Sequence, residues 1–148
     1  MYKKLLSVPC DNEAITHSDG LSAQNYTDPA HFEIEKKRIF QRSWICVGHQ
    51  CMAKQPGDYF VTNVIDQSVL VVRDNGRRLK AFFNVCRHRG HEIARGSGNY
   101  DRLVCPYHAW SYDLDGQLLN APHTERVNSF DPKKVSLKPI SLSTLAGA

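Results

Sequence analysis

Nowhere in the 148 residues does an apolar run approach the ~20 residues that would span a bilayer. Met1-Tyr-Lys-Lys-Leu-Leu6 is followed by Ser7, Val8 and Pro9 rather than by the apolar stretch of a secretory leader. Cysteine is sparse and odd in number, with five residues at 10, 46, 51, 86 and 105. The dense, even framework of small secreted disulfide domains is therefore missing, and reduced thiolates that bind metal are the better expectation. Basic residues exceed acidic ones by only 19 to 15 and are spread along the chain, with no tail or stripe of the kind a nucleic-acid surface needs. Repeats and low-complexity segments are also missing. These absences exclude membrane and nucleic acid as partners and point to a cytoplasmic protein. With 41% hydrophobic residues, the chain has enough apolar material for one domain with its own core.

Residues 1–26 contain Pro9 and Gly20 and no sustained period, so they are expected to form an irregular arm. Thr27-Asp28-Pro29 reads as a helix start, because Asp28 can accept from the free amides of the first turn and Pro29 needs no donor there. The helix is expected over about 29–43, with Phe32, Ile39 and Phe40 on one face and the Glu/Lys/Arg run on a solvated side. Beyond Trp44 the pattern changes to short β-rich runs, at 44–49, 58–65, 68–73, 79–85, 102–105, 109–114, 117–119 and 135–140. Asp74-Asn-Gly76 and Asp115-Gly116 supply turns between them, Asn-Gly being tolerant of positive φ. The fold class expected is all-β, a sandwich of short antiparallel strands with one N-terminal α-helix.

Chemistry concentrates on two loops. Cys86-Arg-His88 is followed, after sixteen intervening residues, by Cys105-Pro-Tyr-His108, so two thiolates and two imidazoles arrive as two mixed pairs. Four such donors make a metal site. A [2Fe–2S] centre of the Rieske kind, in which two histidines replace two cysteines on one iron, needs each loop to send one ligand to each metal. Gly90 and Pro106 suit tight loops over the sulfides, and loop amides can donate to sulfur. Tetrahedral zinc takes the same ligand types but usually pairs two cysteines in one knuckle and two histidines in another. Unrelated buried cysteines and surface histidines are the third alternative. Cys10, Cys46 and Cys51 lack a matching second arm, as do His17, His31, His49 and His123, and His91 lies out of register with the ligand pair.

Cys86-Arg-His-Arg-Gly90 together with Leu103-Val-Cys-Pro-Tyr-His-Ala-Trp-Ser-Tyr-Asp-Leu-Asp-Gly116 resembles the Rieske domain of the α subunit of bacterial ring-hydroxylating oxygenases. Phe32, Glu35, Ile39-Phe40, Trp44, Val47-Gly-His49 and Pro56-Gly-Asp-Tyr59 resemble that family's lead-in helix and first strands, so the likeness covers roughly 26–145. The resemblance implies a Rieske [2Fe–2S] domain over 27–148, with cluster loops at 86–91 and 105–110 and Cys86, His88, Cys105 and His108 as ligands. It also implies a reductase or ferredoxin as electron donor, an α-subunit oligomer, and a mononuclear Fe(II) held by two histidines and a carboxylate in a C-terminal catalytic domain. That domain is expected to be absent from this chain, which would then shuttle electrons without hydroxylating. Both dioxygenases of aromatic rings and monooxygenases of quaternary ammonium compounds belong to the family. The alternative function is a stand-alone Rieske-type ferredoxin.

Two ferric ions, two sulfides, two thiolates and two neutral imidazoles sum to zero charge, so reduction leaves about −1 and nearby cations favour it. Arg87 and Arg89 flank His88, with Arg95 a few residues on. They either tune the potential or dock an acidic donor, or serve only as hydrogen-bonding loop residues. Trp110 and Tyr107 are expected to pack over the cluster and exclude water.

Overall fold

A computed structural model describes residues 20–124 and 126–145. The expected arm over 1–26, with Cys10 and His17, lies outside the described residues as far as residue 19. Two units are distinguished, Met1–Arg42 and Ser43–Ala148. In the first, a single turn α1 (Gln24–Thr27) precedes α2 (Pro29–Arg38). Asp28 caps α2 as anticipated, its Oδ1 accepting from the Ala30 amide at 2.9 Å ahead of Pro29 at the first helical position. The helix stops at Arg38, short of residue 43. Ile39 turns out of helical geometry with φ −110°, and the chain tightens into a 3-10 turn over Phe40–Arg42. The expected apolar face of this helix therefore does not form: Phe32 alone lies within it, and Ile39 and Phe40 fall beyond its end, although the Phe32 and Phe40 rings meet edge to face at 6.3 Å. Phe32 is 45% and Ile39 51% exposed.

In the second unit every strand pairing is antiparallel. β1 (Asp58–Val64), β2 (Gln67–Arg73), β3 (Leu79–Phe83), β4 (Ser97–Asn99) and, near the end, β8 (Pro139–Ile140) form one sheet in the order β4-β1-β2-β3-β8. β5 (Leu103–Val104), β6 (Ser111–Tyr112) and β7 (Leu118–Asn120) form the second. Val69-Leu-Val-Val72 explains the layering. The pleat sends Leu70 and Val72 into one core, with Tyr59, Phe82, Leu103, Tyr112, Leu114, Leu118 and Leu137, while Val69 and Val71 join Phe60, Ala81 and Ala53 on the opposite face. Both faces of β2 are thus buried, which is why its sequence is continuously apolar rather than alternating.

Three expectations need correction. Residues 44–49 are extended but pair with no strand among the described residues. The run at 135–140 contributes only Pro139–Ile140 and one isolated bridge from Ser136 to Gln117, because Pro139 supplies no amide to a ladder. β4, Ser-Gly-Asn, has the composition of a turn yet pairs with β1 at the sheet edge.

The two anticipated turns share one construction. In each an aspartate opens the turn and accepts from the amides that follow: Asp74 Oδ1 from Arg78 at 2.7 Å, and Asp113 Oδ1 from Asp115 at 2.9 Å and Gln117 at 2.8 Å. The left-handed residue is Gly116 (φ 85°) in one and Arg77 (φ 64°), not Asn75 or Gly76, in the other. At Gly116 a Cβ would lie 2.6 Å from the Phe82 ring, so only glycine lets this turn close over the core. Lys80 joins the two turns, reaching Asp115 directly and Asp74 at 3.9 Å.

Burial pushes the Asp74 carboxyl up, but the Arg78 amide and guanidinium, with Lys80, more than offset that and hold it below its ordinary value of 3.8. A lowered native pKa adds stability that is present above the unfolded value and lost as pH falls through the native one. Asp74→Asn is expected to cost about 1–2 kcal/mol at pH 7. It should also flatten the loss of stability below about pH 4, as urea unfolding at pH 7 and pH 3 would read.

Candidate metal centre

Cys86 and Cys105 each begin a loop with the same backbone bonding. Gly90 donates its amide to the Cys86 carbonyl at 3.0 Å, and Ala109 donates to the Cys105 carbonyl at 3.0 Å. The Cys86 amide donates to the His91 carbonyl at 2.8 Å, and the Cys105 amide to the Trp110 carbonyl at 2.8 Å. The fifth residue of each loop is left-handed, Gly90 at φ 74° and Ala109 at φ 57°. Two loops of different sequence thus follow one path. The histidine sits two residues after cysteine in the first and three after it in the second.

The donors sort by type. Both cysteines are 2% exposed and lie close enough for the Cys86 thiol to act on that of Cys105, while the half-buried His88 and His108 rings lie 4.7 Å apart. Burial pushes the Cys105 thiol up, as does the Cys86 thiol, and the amides of Tyr107 and His108, which donate to its sulfur, oppose the shift. Burial also lowers the His108 pKa, helped by His88 and Arg89. A His108 imidazole biased to its neutral form and a Cys105 sulfur met by amide donors suit metal ligation. His108 Nδ1 is buried with no hydrogen-bond partner, as an atom kept for a metal would be. Among the described residues, no three His, Cys, Asp or Glu side chains converge on one point as a single-ion cage requires, whereas a thiol pair beside an imidazole pair fits two irons.

Surrounding residues divide between the expected and the unforeseen. Trp110 is 5% exposed and stacks on His88 at 4.8 Å and 7°, with Phe130 behind it, so it covers that ring as anticipated. Tyr107 is instead 56% exposed, because its loop turns it outward against His108 and His91. It borders an open cleft of about 520 Å³ with Val104, His108, Pro122 and His123. His91 closes the first loop through its carbonyl, and its ring contacts the Glu92 carbonyl at 2.6 Å. Cys46 and Cys51 are exposed free thiols, His31 pairs with Glu35 at 3.5 Å, and His49 accepts from the Cys51 amide at 3.2 Å. Arg95 is engaged by Glu92 at 3.2 Å, while Arg87 and Arg89 stand exposed beside His88.

Tyr112 lies in the 103–116 stretch that carries the resemblance, but nothing in that stretch marks it for a role of its own. It is fully buried, its oxygen accepts from the Arg87 amide at 3.0 Å, and its hydroxyl lies 3.3 Å from Cys86 Sγ. Because the oxygen is already accepting, the hydroxyl proton is available to a Cys86 thiolate. Burial and that sulfur push the tyrosine pKa well up, so it stays a donor.

Paired thiols and paired imidazoles on two like loops at one end of a small antiparallel β-sandwich define a mixed cysteine–histidine two-metal domain. Residues 43–131 match the Rieske [2Fe-2S] domain, and the chain belongs to that family, whose cofactor is the [2Fe–2S] cluster. It is 44% identical over 123 residues to the carnitine monooxygenase oxygenase subunit of Acinetobacter baumannii, covering 82% of this chain and 33% of that protein. It is 39% identical over 124 residues to the benzene 1,2-dioxygenase subunit alpha of Pseudomonas putida, covering 82% and 28%. The apo crystal structure of a quaternary ammonium Rieske monooxygenase superposes with a TM-score of 0.79 at 43% identity, covering 84% of this chain and 36% of that one. The chain spans about a third of the length of the first of these relatives. No helix among the described residues is long and apolar enough to cross a membrane.

The matched loops set up a paired test of their left-handed positions. Open space surrounds the place a Cβ would take at Gly90, so Gly90→Ala is expected to cost only the backbone term, about 1–2 kcal/mol. Ala109→Gly removes the same strain and is expected to be neutral or stabilising by up to about 1 kcal/mol. Thermal unfolding of the two variants should therefore shift in opposite directions, or Ala109→Gly not at all.

Proposed function

We propose that this chain is the electron-transfer part of a Rieske oxygenase α subunit. Cys86 and Cys105 hold one iron of the cluster and His88 and His108 the other. When bound, the cluster supplies a one-electron couple. Electrons enter from a reductase or ferredoxin and leave toward a mononuclear non-haem iron that lies outside these residues, within an α-subunit oligomer. We take the Rieske unit to span 27–148, with 1–26 as a lead-in arm. The observation that carries this reading is the depth ordering of the donors: thiols fully buried, imidazoles half-buried at the rim, so that exchange with a partner occurs at the histidine end.

The chain's own residues support that role. Tyr112 and the Arg87 amide fix Cys86 from the core side, and Trp110 holds the plane of His88 and keeps water from its face. Arg87 and Arg89, exposed on either side of His88, present positive charge where an acidic donor would approach. The relatives are oxygenase subunits, which favours this reading over a free-standing ferredoxin.

Purified chain supplied with an electron donor and NADH is expected to cycle between a red-brown oxidised form and a paramagnetic reduced form. Alanine at Cys86, His88, Cys105 or His108 should remove the visible absorption and the reduced-state paramagnetic signal, while Cys46→Ala, Cys51→Ala and His91→Ala keep both. A normal cluster in Cys86→Ala would overturn the assignment.

A further inference from the structure

The two cysteine loops follow the same path but are not closed at their base in the same way. Behind the second loop, β5 and β6 pair as backbone, Leu103 with Tyr112 and Val104 with Ser111. Behind the first loop no such ladder exists among the described residues, since β3 ends at Phe83 and residues 92–95 belong to no strand. The side chain of Asn84 occupies that place. It is fully buried, its Oδ1 accepts from the Ile93 amide at 3.0 Å and the Ala94 amide at 3.1 Å, and its Nδ2 donates to the Ala94 carbonyl at 2.8 Å and to Ser68 Oγ at 3.1 Å. Both lone pairs of the carbonyl and both amide hydrogens are used. One side-chain amide therefore replaces the missing strand rungs, tying the residue two before Cys86 to the residues two and three after His91. Ser68, on β2, anchors the clamp to the sheet.

We infer that Asn84 is a positioning residue for the metal centre: its amide closes the base of the 85–92 loop and thereby holds Cys86 and His88 in the register that Cys105 and His108 require. This rests on the ligand reading given above. Two buried backbone amides and one carbonyl lose their partners if the side chain is truncated, so the loop opens at a fraction of the cost of unfolding the domain. Cluster retention should then fail before the fold does. Aspartate is a poor substitute, because it accepts from both amides but has no hydrogen to give the Ala94 carbonyl.

The test is the rate at which a ferric chelator strips iron from the oxidised, cluster-loaded chain, well below its unfolding temperature, with the paramagnetic spectrum of a chemically reduced portion recorded in parallel. Asn84→Ala is expected to lose iron about tenfold faster or more and to show an altered spectrum. Ser68→Ala, which removes one of the four bonds and is the milder change, is expected to lose iron about two- to threefold faster. Leu137→Ala lowers global stability by opening a cavity in the apolar core, leaves the four Asn84 bonds in place and serves as the reference: a purely structural Asn84 would give the same rate as this variant at a matched unfolding midpoint, and that equality would overturn the proposal. Should Asn84→Ala not fold, Ser68→Ala decides, and a rate equal to wild type overturns it. Iron and sulfide content of the wild type, two of each per chain, checks the underlying ligand reading independently of either variant.

Discussion

Four side chains from two separate loops have to meet as a thiol pair and an imidazole pair, and the backbone bonds inside each loop make that possible. Gly90 to Cys86 and Ala109 to Cys105 fold each loop back after four residues, and the return bonds from Cys86 to His91 and from Cys105 to Trp110 seal them. With the two paths matched, the cysteines stand at the same depth and the histidines at the rim. The difference of one residue in the cysteine-to-histidine spacing is absorbed where the chain is free to differ, at Arg87 in one loop and Pro106-Tyr107 in the other. The sandwich exists in this description as the frame that keeps the two loops facing one another, with Tyr112 of the second hairpin reaching across to Cys86 and the Arg87 amide of the first.

Packing and polarity divide the work. The core between the sheets is ordinary apolar burial, with Leu70, Val72, Leu103, Leu114 and Leu137 each almost wholly removed from water. The buried polar groups are few and committed. Asp74 and Asn84 each use their oxygens to organise a turn or a loop rather than to meet solvent. Such groups are costly to leave unsatisfied, which makes them good at specifying one backbone path over its neighbours. Trp110 and His108 depart from this pattern, each with a buried nitrogen that has no partner, and both lie at the metal site.

How much of this was legible in the sequence depended on whether the signal was local. The pairing of Cys86 with His88 and of Cys105 with His108 on two loops was legible from spacing, since Cys-x-His and Cys-x-x-His arms are short and self-contained. The Asp28-Pro29 cap and the Asp-Gly turn at 115–116 were legible for the same reason. Long-range partners were not. Tyr112 looked like one more strand aromatic because its role depends on Cys86 twenty-six residues earlier. Asn84 sat beside the motif without a visible reason, since its partners at 68, 93 and 94 come together only in the fold. β4 was hidden because an edge strand can be built from Ser-Gly-Asn when its neighbour supplies the ladder. Arg77, rather than the glycine before it, took the left-handed position because Asp74 fixes the turn through the Arg78 amide. The apolar face expected along 29–43 was misread, because the helix ends at Arg38 and leaves Ile39 and Phe40 beyond it.

The sorting of donors by type is the claim on which the rest stands. Mössbauer spectroscopy of the oxidised, 57Fe-enriched chain tests it directly, because an iron held by two thiolates and an iron held by two imidazoles have different isomer shifts and quadrupole splittings. Two doublets of equal area, with the larger splitting and shift on the imidazole-bound iron, are the expected result. A single doublet would mean that the two irons share one environment, and would contradict the pairing of Cys86 with Cys105 and of His88 with His108.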